Sequence, residues 1–379
     1  MKLKTWHLFL VIIILFGCSF YIVNLKFDKF YRLNGINNDN RVLIEKYLSE
    51  DEQDYLIENQ IDVGKFIKYI ENDSFYLNNH QYYYMLEKSS RYDKQNDILE
   101  TGNSLSQRLS YLFKNDAVEQ GQALVDRSLE MAFLNEENFQ FAYIDIYKNI
   151  TPLYEQNDYS YVKDVETYVQ RLHEMGITNN NDLNETFAMI CSSYNKDAIQ
   201  TLLTTHLASK TKIVFNPKDV TSLVDKSHYI GVYEPSSLIL TQDIPRMRYA
   251  MYLKDEAYNA LVKMHQGLSE DNSHFLLMDA YTGYQTLDSK DIGYKEEQLG
   301  LTIKVMQSDT AYKDFEKTNM SKWLEKHAYE YGYVLRYPRD KASVTDRAYD
   351  SHIYRYVGVE LAKKLFDSQM TLEEYYLTK

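Results

Sequence analysis

The residues able to do chemistry in this chain are scattered. None of the nine histidines belongs to a His-Glu-x-x-His run or a close His/Cys cluster, so their spacing argues against a self-contained zinc site. Ser227 and Ser351 each adjoin a histidine, His228 and His352, but neighbours in sequence do not make a nucleophile and base without an orienting acid. With 13 glycines and no glycine-rich phosphate loop, nucleotide chemistry is not indicated. Cys18 and Cys191 are the only cysteines; Cys18 lies in the apolar leader, which leaves Cys191 without an intramolecular disulfide partner and reads as a buried, inert thiol.

The elements that must position these groups are legible in part. Ser49-Glu50-Asp51-Glu52 is a capping-box pattern that starts a helix near Leu48, and the same logic places starts at Asn78 to Gln81 and at Asp182 to Glu185. Val162, Val165, Val169, Leu172 and Met175, spaced three and four apart with Gly176 behind them, predict a helix from about Ser160 to Met175. Lys212 to Phe215 reads as a strand broken by Asn216-Pro217. Beyond it, helical stretches at Asp255 to Gln266 and Met320 to Tyr331 alternate with short apolar runs at Phe275 to Met278, Gly300 to Met306 and Ile353 to Val357. The fold class that follows is α+β, with residues 1–25 a leader, 26–210 an all-helical domain and 211–379 an α+β domain. The helical domain reads either as a scaffold for a partner or as a stalk.

From Asn216 onward the chain resembles the VanY-type D-alanyl-D-alanine carboxypeptidases, zinc enzymes that trim peptidoglycan stem peptides. The matches run in family order: Leu223 to His228 with Tyr233-Glu234-Pro235, Asp279 to Thr282, Gly293 to Leu301, Trp323-Leu324, Arg336-Tyr337-Pro338, Arg355 to Gly358 and Leu372 to Tyr375. What the resemblance implies for chemistry is different. The family's three zinc ligands fall on Glu297, Lys304 and Ile353, its general base on Asp350 and its active-site arginine on Thr282. Catalytic zinc needs three donor side chains and an open position for water. An ammonium and a sec-butyl group cannot donate, so no cofactor is expected. His352 does not replace the missing ligand by a one-residue slip, because one step along an extended strand turns the side chain to the opposite face. Charge suggests instead that Lys304 places its ammonium where the metal would sit, paired with Glu297 and Asp350. Tyr281, Gln298, Tyr349 and Tyr356 are the residues that the resemblance would line a peptide groove with.

Charge and the leader bound the setting. The formal charge is −13, and the first 25 residues add two lysines and no acid, so the remainder carries −15 and repels nucleic acid and anionic lipid. The 36 tyrosines accompany abundant Asn and Lys, which reflects coding bias rather than a binding device. Met1-Lys2-Leu3-Lys4 before an apolar run from Leu8 to Val23 has the form of a secretory signal or uncleaved anchor, and Leu15-Phe16-Gly17-Cys18 resembles a lipobox. The sequence therefore reads as a membrane-attached, extracytoplasmic, non-catalytic relative of D,D-carboxypeptidases. Its expected partner is a cell-wall stem peptide or an envelope protein. An active peptidase rebuilt around Glu297 and Asp350 and a purely structural adaptor are the alternatives.

Overall fold

In the computed structural model, which describes residues 5–268 and 274–378, the chain divides into two units. One comprises the residues up to Lys148 plus Asn157–Val162; the other comprises Asn149–Gln156 plus the chain from Lys163 onward. The charged start, Met1 to Lys4, lies outside the described residues.

The first part of the chain is helical: α1 (Thr5–Phe27), α2 (Asn38–Tyr47), α3 (Glu50–Glu58), α4 (His80–Lys88), α5 (Gln95–Leu112), α6 (Ala117–Asp126), α7 (Glu130–Asn135) and α8 (Ile144–Ile150). In α1 the stretch Trp6–Val23 is apolar and wholly unburied, long enough to cross a membrane by length and composition. The capping box opens α3 as expected: the Ser49 hydroxyl accepts from the Glu52 amide at 3.3 Å, and Glu52 Oε2 accepts from the Ser49 amide at 2.9 Å. The cap expected at Asn78 falls inside a 3-10 turn, Leu77–Asn79, from which α4 begins, and Asn79, the residue before the helix, makes no side-chain cap but donates to Asn103 Oδ1 at 2.8 Å. Glycines inside helices carry a conformational penalty, yet two occur where α4 meets α5 and α6. A Cβ on Gly102 would fall 2.6 Å from the Tyr83 ring, and one on Gly121 would fall 2.8 Å from the Tyr82 ring. Those two buried tyrosines need the room.

Next come α9 (Tyr161–Glu174), α10 (Asn180–Ser193) and α11 (Lys196–Thr204). The periodicity of α9 is realised, with Val162, Val165, Val169 and Leu172 buried and Gly176 at φ +89° just past its end. The cap of α10 is Asn179, whose side chain accepts from the Asn181 amide at 2.8 Å, three residues ahead of the expected Asp182.

The sheet region follows: β1 (Lys212–Ile213), β2 (His228–Tyr229), β3 (Leu238–Leu240), β4 (Tyr252–Lys254), α12 (Asp255–Gly267), β5 (Phe275–Asp279), β6 (Thr302–Gln307), α13 (Asn319–His327), β7 (Tyr333–Tyr337), α14 (Ala342–Thr345), β8 (Asp350–Tyr356), α15 (Val359–Ser368) and α16 (Leu372–Tyr376). The strand expected over Lys212 to Phe215 shrinks to two residues paired with β2. The helix expected to reach Tyr331 stops at His327 and closes as a 3-10 turn, Ala328–Tyr331, ended by Gly332 at φ +86°. β3 and β4 form an antiparallel pair, and β5-β6-β8-β7 form an antiparallel four-stranded sheet. The architecture is α+β, with a helical N-terminal region and a C-terminal sheet region. Two cross-strand pairs, Leu277 opposite Val305 and Ile303 opposite Tyr354, are completely buried and form the core face. The opposite face carries the residues of interest.

Candidate functional site

Residues directly opposite each other in an antiparallel ladder share a face. Lys304 on β6 is opposite Ile353 on β8, and Asp279 on β5 pairs with Lys304 just past a register shift that follows Leu277, so the three line up across the sheet. Lys304 and Ile353 are both half-buried. Two residues along the same face, Thr302 is opposite Arg355, and there the sheet is covered. The Thr302 hydroxyl donates to Glu296 Oε1 at 2.9 Å, and Arg355 Nη2 donates to the Val220 and Ser222 carbonyls at 3.0 Å each. The face is thus closed at one end and open at the Lys304 row.

Glu297 lies in the 3-10 turn Glu296–Leu299, which Gly300 ends at φ +67° as the chain enters β6. The Glu297 carbonyl accepts from the Thr282 amide at 3.2 Å, so the backbone brings positions 282 and 297 together. Burial, and then the charge of Glu296, raise the Glu297 carboxyl above its ordinary value. Lys295 and Arg347 also act on it, and no ion pair among the described residues joins it to Lys304, so the expected pairing of Lys304 with Glu297 is not made. Lys304 instead lies over the Tyr312 ring, 5.0 Å from its centroid, with Asp350 and Asp279 as its acidic neighbours. Burial alone would lower the Lys304 ammonium, but Tyr312 and those two carboxylates outweigh it and raise its pKa. It stays charged.

Both carboxylates have other partners. Asp279 pairs with Arg248 and accepts from the Ala280 amide at 3.0 Å. Asp350 Oδ1 accepts from the His352 amide at 3.0 Å and lies 2.9 Å from His352 Nδ1. Burial would raise the Asp350 carboxyl; these hydrogen bonds and the charges of His352 and Lys304 prevail and hold it below its ordinary value. The His352 ring stacks on Tyr312 at 3.8 Å and on Phe315 at 4.7 Å. His352 and Ile353 lie where the pairing of β8 with β7 shifts register, between Leu335 and Tyr337, so simple strand alternation does not fix which way His352 faces.

Three of the four residues expected to line a groove have other work. Gln298 is wholly buried; its Oε1 accepts from the Gly293 amide at 2.6 Å and its Nε2 donates to the Gly231 carbonyl at 3.2 Å. It clamps two loops whose glycines both have positive φ, and it has no surface to offer a ligand. Tyr349 donates to Glu325 at 2.8 Å, carries Arg339 over its ring and lines a separate cavity of about 380 Å³ beside β7 and α15. Tyr356 packs edge-on against Tyr333. Tyr281 alone remains beside Thr282, half-buried, its phenol pushed up to about 12 by burial and the nearby Glu234. Sequence reasoning missed Tyr312 and Arg248. Tyr312 sits in a 3-10 segment with no periodicity to mark it, and Arg248 is held by a loop that pairs with β5, where the Met247 amide donates to the Leu277 carbonyl at 2.9 Å.

The row Asp279, Lys304, Ile353 does not fit a zinc ion, since only one of the three can donate. Among the described residues no group of three or more His, Cys, Asp or Glu side chains is arranged to hold a metal.

The family model for D-alanyl-D-alanine carboxypeptidase, VanY, matches residues 285–359, the segment from the turn before Glu297 to the end of β8. Over this segment the C-terminal region is similar to the VanY-type D-alanyl-D-alanine carboxypeptidase family. Among relatives, "Putative carboxypeptidase YodJ" of Bacillus subtilis (strain 168) is 28% identical over 193 residues, 42% of this chain and 68% of that protein. A D-alanyl-D-alanine carboxypeptidase of Enterococcus faecium is 32% identical over 116 residues, 27% of this chain and 36% of its own length. The chain therefore spans only about a third of that enterococcal carboxypeptidase. The solved structure of the LdcB LD-carboxypeptidase is similar at 26% identity and a TM-score of 0.41, over 45% of this chain and 92% of that one.

Proposed function

We propose that this chain is a non-catalytic VanY-family protein, attached to the membrane by its N-terminal helix with the body on the extracytoplasmic face, that binds a cell-wall stem peptide. On this reading residues 1–25 are the anchor, 26–210 a helical domain and 211–379 the peptide-binding domain. The observation that carries it is the Lys304–Ile353 pair in the middle of the sheet, where the family pattern calls for two metal ligands. Lysine held as an ammonium repels a divalent cation, and isoleucine offers it nothing. The relatives that name a D-alanyl-D-alanine activity supply the ligand class.

An active enzyme rebuilt around Glu297 and Asp350 would need the two carboxylates to work on one substrate. Asp350 is engaged by His352, whose amide donates to its Oδ1 at 3.0 Å and whose Nδ1 lies 2.9 Å from it. That disfavours the rebuilt site. The detergent-solubilised full chain should contain no stoichiometric zinc by elemental analysis and release no D-alanine from a peptide ending in D-Ala-D-Ala. Turnover abolished by a chelator and restored by zinc would refute the reading.

A further inference from the structure

Lys304 is a cation in a half-buried place without an ion pair among the described residues. The two carboxylates within its field are each taken: Asp279 by Arg248 and the Ala280 amide, Asp350 by the ring and amide of His352. An ammonium has three donors, and a partly desolvated one gains most from an anion that brings its own oxygens. The whole chain carries −13, so an acidic ligand is repelled everywhere except where a local cation is offered. Beside that cation, Ile353 presents an apolar side chain from the neighbouring strand, and Tyr312 supplies an aromatic wall.

We propose that Lys304 is the carboxylate anchor of the open sheet face: its ammonium receives the free C-terminal carboxylate of a peptide whose last side chain is small and apolar and packs on Ile353. The inference rests on the peptide-binding reading above and adds the group that fixes which end of the peptide enters. A point cation takes the place in the row that the family pattern gives to a ligand of a metal. No covalent step is involved. Recognition is by charge-assisted hydrogen bonding at one end and apolar contact beside it.

The test is calorimetric titration of the full chain in detergent with an N-acetylated peptide ending in D-Ala-D-Ala, as the free acid and as the C-terminal amide. Wild type should prefer the acid by about tenfold or more, with the preference shrinking as salt rises. Lys304→Met should bind acid and amide alike, and Lys304→Arg should restore the preference, with thermal melts confirming that both variants are folded. Equal binding of acid and amide by wild type, failure of the acid to bind, or a preference that survives in Lys304→Met would each overturn the anchor. D-alanine release by wild type would overturn the non-catalytic reading instead, and because it is read by a separate assay the two failures are distinguishable.

Discussion

The two ends of one sheet face obey different rules. At the covered end Arg336 lies between Glu296, 2.6 Å from its Nε, and Glu373, 2.7 Å from its Nη2, all three buried, and the Thr302 hydroxyl donates to Glu296 at 2.9 Å. At the open end Lys304 lies between an aspartate committed elsewhere and an isoleucine. A buried charge persists only with its partner, because an uncompensated one costs several kcal/mol. Folding itself therefore dictates the residues at the covered end. At the open end water can solvate whatever side chain is present, so the fold tolerates Lys304 and Ile353 there. Scaffold and chemistry can part company on the same strands because desolvation polices only one of them.

The sharpest way to break that contrast is Arg336→Met. It leaves Glu296 and Glu373 buried without their cation and should cost about 3–5 kcal/mol in denaturant unfolding. Lys304→Met, by the same measurement, should cost under about 1 kcal/mol. A reversal of that order would mean that the open end, not the covered one, holds the sheet together. Next in size is the combined change Glu297→His, Lys304→Asp and Ile353→His. If these positions share one potential site, zinc at about a hundred times its Kd should add about 2.7 kcal/mol to stability, removable by a chelator. No zinc-dependent shift in Tm would show that the three backbone positions do not converge.

How far this was readable in advance differs between the same two ends. The ordered matches from Leu223 to Tyr375 carried the family and its α+β fold, and the valine spacing of α9 and the Ser49 box carried two helices, since local pattern and local structure agree there. Strand β7 was not anticipated from its own residues, and Gln298 was taken for a groove residue when it is a buried clamp. The surroundings of Tyr349 and Tyr356 were not legible, because which way a tyrosine faces depends on strand register and on partners far along the chain. The Lys304–Asp350 proximity followed from charge and motif, whereas the absent Lys304–Glu297 pairing depended on a turn whose geometry no short pattern encodes.

Asp350 and Glu297, two carboxylates of this region, provide the finest test, because they are shifted in opposite directions. The Asp350 pKa is depressed on folding, so its hydrogen bonds with His352 contribute stability above the unfolded-state pKa, and that contribution disappears as pH falls through the folded value. Asp350→Asn should therefore cost about 1–2 kcal/mol at neutral pH and converge with wild type in acid. Glu297 is raised by burial and by Glu296, so any stability it contributes is complete below its unfolded pKa and is lost as pH climbs through the folded one. Glu297→Gln keeps the shape and removes the charge. It should leave acid stability unchanged and raise Tm at neutral pH, by the smallest amount in this series. Thermal melts of the two variants across the acid range should then diverge from wild type with opposite signs. If Glu297→Gln instead lowers Tm at neutral pH, its carboxylate has a cationic partner strong enough to offset burial, and the open end of the face is as tightly paired as the covered one.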